Sequence, residues 1–217
     1  MLEGQTPGLY NWTMPKKKTS GKPAAYKDQI KALSQISRTI TSNLLIDDIL
    51  SSIVNVTAKL MGSNICSILL LNTEKGLLET KATQSVSEQY NRKPPIKIGE
   101  GIAGKVLLTN KAMVVKDVKK ENEYKFRDIA KNEGLCSLLC VPLTVKGKAI
   151  GVINSYTSKP HVFTKTEIEV LSAIASLAAV AIENTDLLMK AKNVEEELQS
   201  RKIIERAKGI LMRDEGL

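Results

Sequence analysis

Few side chains in this sequence could do covalent or metal chemistry: three cysteines and one histidine among 217 residues. Cys136 and Cys140 stand four apart, on or just before a short apolar run, and a strand carries residues at that spacing on one face. Cys66 heads another such run. Buried thiols of this kind ordinarily act as small core hydrophobes. The alternative chemistry is an attacking thiolate with a resolving partner. His161 has no second histidine to join it, and no further ligand pair completes a metal site. One loop histidine builds neither a Ser-His-Asp nor a Cys-His set. No pair of carboxylates stands out. The expectation is no catalytic residue, no metal and no required cofactor: not an enzyme.

A second motif suggests phosphate chemistry. Gly99-Glu100-Gly101-Ile102-Ala103-Gly104 fits G-x-G-x-x-G, which cradles a pyrophosphate when it follows the first strand of a parallel βαβ unit. Here it follows Pro94-Pro95 in a run of antiparallel signals, and Asp117, the acid at the right distance, lies in a charged loop. The simpler reading is a tight turn and a close backbone approach.

These residues must be positioned by elements of ordinary composition. At 42% hydrophobic residues the chain can build a sizeable core. No apolar run approaches the ~20 residues of a membrane span, and no signal peptide is evident. An odd number of cysteines without framework spacing points to reduced thiols and a cytoplasmic setting. Aromatics make up 4%, thin for a base-stacking protein. Part of the net charge of +9 sits in an N-terminal arm, where Lys16, Lys17, Lys18, Lys22, Lys27 and Lys31 face only Glu3 and Asp28. Residues 1–23 read as a disordered basic arm.

Helical periodicity begins near Ala24 with Tyr26, Ile30, Leu33, Ile36 and Ile40. Ser42-Asn43 interrupts it. A second helix carries Ile46, Ile49, Leu50, Ile53, Val56 and Leu60 and stops at Gly62. Strand patterns follow at 65–71 and 77–83. A polar stretch at 85–93 leads to the glycine-rich turn, a short helix at 102–109 and a strand at 113–115. A short helix at 124–131 precedes a hairpin of 137–145 with 149–158. The last helix opens with a capping box, Thr164 with Glu167, and a hydrophobic staple of Phe163 with Ile168. Along it, Val170, Ala173, Leu177, Val180, Asn184, Leu187, Ala191, Val194 and Leu198 step by three and four, the period of a packing seam. The phase changes between Leu198 and Ile203. The predicted class is α+β: an antiparallel sheet, N-terminal and C-terminal helices on one face, and an extended helical tail.

Residues 24–190 resemble a GAF domain. The resemblance rests on Gly99-Glu100-Gly101-Ile102-Ala103-Gly104-Lys105-Val106, Asn110-Lys111, Val114-Val115-Lys116-Asp117, Leu139-Cys140-Val141-Pro142-Leu143 and Ile150-Gly151-Val152-Ile153. Phe163-Thr164 and residues 178–184 add to it. Residues 201–217, through Ala207-Lys208-Gly209-Ile210-Leu211-Met212, resemble the opening helix of an ANTAR domain, an RNA-binding module of bacterial antitermination regulators. Residues 191–200 read as a coiled-coil linker between them. The chain stops before the further helices of that family, so the output module is expected to be truncated or incomplete.

The resemblance implies a bacterial sensor whose pocket lies between the sheet and the short helices. Strand alternation and family layout nominate Ser67, Leu69, Val106, Phe126, Ile129, Leu138, Cys140 and Asn154 as ligand-binding residues. The residue set of cyclic-nucleotide GAF domains is matched only by Asn110, Lys111, Phe126 and Asp128. Arg201, Lys202, Arg206 and Lys208 are the cations available for RNA, if the ANTAR segment is complete; otherwise they form a solvated helix face. A homodimer through the helices at 24–61 and 164–198 is expected, with no membrane partner. Two rivals remain: a GAF-fold methionine sulfoxide reductase using Cys136 and Cys140, and a dimerisation module with a side-chain-filled pocket.

Overall fold

The structure, a computed structural model, describes residues 23–40 and 45–214. Residues 1–22 of the basic arm and the Ser42-Asn43 break lie outside the described residues.

The chain forms α1 (Pro23–Ile40), α2 (Ile46–Met61), β1 (Ile65–Asn72), β2 (Leu77–Thr83), α3 (Glu88–Asn91), β3 (Ile96–Lys97), α4 (Gly101–Thr109), β4 (Met113–Val115), α5 (Arg127–Asn132), β5 (Leu138–Val145), β6 (Lys148–Tyr156) and α6 (Lys165–Asp214). Two of these elements, α3 and β3, fall where the sequence pattern reads as polar loop and approach to the glycine turn. Both are too short to show a period. The helix expected at 124–131 is confined to α5, because Phe126 has φ −109°, ψ 52° and begins it as a cap.

Six strands form one antiparallel sheet in the order β3-β2-β1-β6-β5-β4. Alternation divides the core into two layers. Cys66, Ile68, Leu139, Val141 and Ile153 face α1, α2 and α6, where they meet Ile36, Leu50, Ile53, Leu171, Ile174 and Ala178. Ile65, Leu69, Leu138, Cys140, Val152 and Tyr156 face the other way, toward Tyr90 of α3 and Ile102, Val106 and Leu107 of α4. The N- and C-terminal helices share one face, as the sequence predicts. A bulge between Ile68 and Leu69 returns Leu78 and Thr80 to the layer of Leu69 while Ala82 stays in the helix layer.

Local signals behave as expected at several ends. Gly62 caps α2 at φ 60°, its N–H donating to the Ala58 carbonyl. The Thr164 N–H donates to Glu167 Oε2 at 2.7 Å and the Glu167 N–H returns to Thr164 Oγ1 at 3.2 Å, completing the capping box. His161 belongs to this helix start: its Nε2 is 2.8 Å from Glu167 Oε1 and its ring packs edge-on against Phe163. Burial pushes the Glu167 carboxyl up, but the Thr164 and His161 bonds prevail and hold it below the usual range.

The sheet-facing residues of α6 are Leu171, Ile174, Ala175, Ala178, Ala179 and Ala181. The three-four seam runs along a different stripe. Val170 and Leu177 are half-buried, while Val180, Leu187, Val194 and Leu198 are each at least 50% exposed. The helix continues unbroken past residues 198–203, so the change of phase there rotates the apolar stripe without ending the helix. Among the described residues no helix is long and apolar enough to cross a membrane.

Candidate functional site

The glycine motif builds the floor of the site. Gly99 at φ 78° and Gly101 at φ 61° adopt the left-handed region that a side chain disfavours. The Gly99 N–H donates to the Gly104 carbonyl at 2.9 Å, closing the turn onto α4. A Cβ on Gly104 would stand 2.4 Å from the Lys97 carbonyl oxygen. The motif therefore serves a tight turn and close approach. Asp117 serves a turn as well, its carboxylate accepting from the Lys119 N–H at 3.0 Å.

Above this floor, register aligns one row of polar side chains. Ser67 pairs with Asn154 across β1 and β6, and Asn154 with Cys140 across β6 and β5. Ser67 Oγ lies 2.9 Å from the Tyr90 hydroxyl. The Tyr124 hydroxyl donates to that of Tyr156 at 3.2 Å. Tyr90 and Tyr124 both meet Tyr156 edge-on, with centroids 6.2 and 6.3 Å away. Burial keeps these phenols protonated: it raises Tyr90 and Tyr156 well above the ordinary value and pushes Tyr124 up to about 12.

Between these rings and α4 lies a cavity of about 20 Å³, room for about one water. Its walls include Leu69, Thr80, Ile96, Tyr124, Phe126, Leu138 and Tyr156. The first turn of α4 contributes Gly101, Ile102 and Ala103. Two polar groups face this apolar lining. Lys93 places its ammonium 3.4 Å from the Tyr90 ring centroid and within 6 Å of those of Phe126 and Tyr156. Burial lowers its pKa to about 7, opposed only by the charge of Glu133. Asn154, 3% exposed, has its Oδ1 buried without a donor. At the rim, Lys125 Nζ is 2.8 Å from Glu100 Oε1, and this bond first of all holds the Glu100 carboxyl below its usual range.

Of the eight nominated residues, Leu69, Phe126, Leu138 and Asn154 line the cavity. Ser67, Val106, Ile129 and Cys140 stand behind that lining, in the same layer but not on its surface. Lys93, Tyr90, Tyr124, Tyr156 and Thr80 are absent from the sequence-based set. Tyr156 lies two residues after Asn154 on β6, and alternation alone would have found it. Tyr90 sits in the short α3 and Lys93 just after its end, where no periodicity signals inward placement.

The cysteines are not brought together as a pair. Cys136 precedes β5, so strand alternation does not extend to it. Its Sγ lies 3.9 Å from the Lys116 carbonyl. Cys140 is fully buried in the cavity layer, and burial pushes its thiol and that of Cys66 up. None of the three lines the cavity. Asn110, Lys111 and Asp128 are exposed and away from the lining, so the partial cyclic-nucleotide set does not converge with Phe126. Arg201 and Lys202 are exposed on α6, and Arg201 pairs with Glu197 at 2.9 Å. The side chains of Arg206 and Lys208 lie outside the described residues.

The profile of the GAF domain matches residues 43–183, well over half the chain, and that of the ANTAR domain matches residues 192–217. The methyl sulfide methyltransferase-associated sensor of Methanosarcina acetivorans is 24% identical over 175 residues, covering 77% of this chain. The chain spans only 18% of that relative's length. The GAF domain of a phosphoenolpyruvate-protein phosphotransferase from Coxiella burnetii superposes with a TM-score of 0.68 at 21% identity, covering 77% of this chain and 98% of that one. The free methionine-R-sulfoxide reductase of Neisseria meningitidis, solved with its substrate, gives a TM-score of 0.66 at 20% identity over 78% of this chain and 96% of that one. At such identities the likeness is one of fold.

Proposed function

The chain belongs to the GAF domain family, and from that premise we propose that it is the sensing part of a signal-transduction regulator with an RNA-binding, antiterminating output. In this reading a small molecule occupies the cavity beneath α4, and α6 carries the response to the ANTAR segment. The observation that carries it is the single helix α6. It begins packed on the sheet at Leu171 and Ile174, and runs without a break into the ANTAR match that starts at residue 192. One element thus touches both the sensor core and the output. A sensor relative supports the same role.

In this reading the signal passes from cavity to helix through side-chain contacts. Asn110 closes α4 in the left-handed region and bridges to the β5–β6 turn, donating to the Gly147 carbonyl at 3.3 Å and accepting from Thr144 Oγ1 at 2.7 Å. Lys146 of that turn then pairs with Glu183 of α6. A ligand moves this chain of contacts only if it binds two arrangements with different affinity.

The protein acts as a homodimer in this reading, through the outer stripe of α6 and the helices at 24–61. Val180, Leu187, Val194 and Leu198 repeat along one side and expose half or more of their surface. That is the arrangement of a two-stranded seam, with Asn184 as its one polar position. The cysteines give no comparable support for the reductase alternative.

Binding of the protein, its ANTAR segment extended past Leu217, to a structured RNA, followed by gel shift across a salt series with and without small metabolites, tests the output. The expected result is salt-dependent binding that changes with a metabolite. Absence of RNA binding at low salt sinks the output assignment. Sedimentation showing a monomer at all concentrations sinks the dimer.

A further inference from the structure

Resting on the sensor reading, we propose that the cavity ligand is a small organic carboxylate, its anionic group on Lys93 and a hydrogen-bond donor of its own on Asn154. Two independent observations carry this. Lys93 ends over the rings of Tyr90, Phe126 and Tyr156, and no carboxylate lies within ion-pair distance of it among the described residues. Asn154 is buried on the cavity face of β6 with Oδ1 unmet. Buried polar groups without partners are rare enough to need a reason. Both belong to the lining of one cavity, so one bound molecule can satisfy both.

The first turn of α4 strengthens the anionic end. Gly101, Ile102 and Ala103 line the cavity, and their N–H groups have no acceptor among the described residues. A carboxylate has two oxygens, one for the ammonium and one for this turn.

The charge and size select within the anions. Lys125 also lines the cavity, 5.9 Å from the Phe126 centroid, but its charge is paired with Glu100, which leaves Lys93 as the lining cation without a carboxylate partner among the described residues. Among the lining residues there is no arginine. One lysine without a carboxylate partner and mostly apolar walls match a monoanion, whereas a phosphate dianion brings charge and acceptors that this lining leaves unmet. The donor required by Asn154 is supplied by a hydroxyl beside the carboxylate. A ligand of several heavy atoms exceeds the present volume, so the lining must open to admit it; Pro94 in that lining is exposed.

The groups facing Lys93 make its proton count. Tyr90, Tyr124 and Tyr156 stay neutral, and Glu133 is the one acid whose charge reaches it. Carboxylate binding therefore needs the protonated amine. It weakens as pH rises above neutrality, by up to about tenfold per unit.

The test is titration calorimetry of the whole protein against 2-hydroxycarboxylates of about two to six carbons, each beside the neutral amide of the same skeleton. The expected result is that at least one acid binds, its amide binds about tenfold or more weakly, and affinity falls from pH 6 to 8.5. Lys93→Met removes the preference for acid over amide, and Lys93→Arg retains most of it. Equal binding of acid and amide, or an unchanged preference in Lys93→Met, overturns the proposal. A metabolite or nucleotide that binds when no carboxylate does overturns it while leaving the sensor reading in place. Failure of every compound in both screens overturns both.

Discussion

The ammonium of Lys146 lies 2.7 Å from Glu183 Oε1, joining the β5–β6 turn to α6 at the last stretch where that helix still touches the sheet. From residue 186 to residue 204 every side chain of the helix is exposed. The pair is thus a clamp at the point of departure. Lys146 is itself largely in solvent, so the bond adds little to global stability. Lys146→Ala is expected to leave the melting midpoint almost unchanged and to quicken amide exchange over residues 180–190. Exchange equal to the unsubstituted protein would show that the clamp does not hold the helix.

Asn110 combines two jobs. Its backbone is left-handed at φ 53°, and its side chain bridges Thr144 and Gly147. Asn110→Ala loses the bridge and strains the backbone, at a cost of about 1–2 kcal/mol. Asn110→Gly loses the bridge but relaxes the backbone, and so costs less. Urea unfolding of both variants checks the order, and equal losses would assign the whole effect to the bridge.

Gly104 is constrained by space. Its added Cβ would meet the Lys97 oxygen at 2.4 Å and the Gly99 nitrogen at 3.0 Å, both backbone atoms that cannot turn aside. Gly104→Ala is expected to destabilise by at least ~2 kcal/mol. Gly62→Ala is the control: its Cβ would meet nothing within 4 Å, and only its φ of +60° opposes the change. That variant should lose about 1 kcal/mol. Comparable midpoints for the two would contradict the close approach.

Lys93 sets a pH dependence with a definite sign. Its pKa falls from the ordinary 10.5 to about 7 in the folded chain. Between these values the unfolded state holds more protons, so stability rises with pH through that window. Below about pH 7 both states hold the proton and the full cost of enclosing the cation is present. Lys93→Met should therefore exceed the unsubstituted protein in stability most at pH 6–7, with the gap closing toward pH 10. Urea midpoints of both proteins across that range measure it, and a gap independent of pH would place the ammonium in solvent.

Much of the fold is legible from local pattern. The alternation in residues 65–71 and 138–145 sorts Cys66, Ile68, Leu139 and Val141 from Leu69, Leu138 and Cys140, and the two layers follow that sorting. Thr164 with Glu167 marks the start of α6 through neighbours three residues apart. The glycine motif reads as a turn because its requirement is a backbone conformation. The same alternation nominates Asn154 and Leu138 for the cavity, yet also brings in Ser67 and Cys140, which belong to the same layer but do not reach its surface.

By itself the sequence determined the α+β class, the two-layered core, the turn role of the glycines and the long seam, since each follows from spacing within one segment. Only the tertiary structure decided which residues meet across segments. Lys93 is one lysine in a polar stretch until α3 sets it over Tyr90 and β6 brings Tyr156 beneath it. Asn154 is an ordinary strand position until its neighbours from β1 and β5 leave its oxygen without a donor. The physical reason is that periodicity encodes which side of an element is buried, whereas a site depends on distances between elements, set by register and packing.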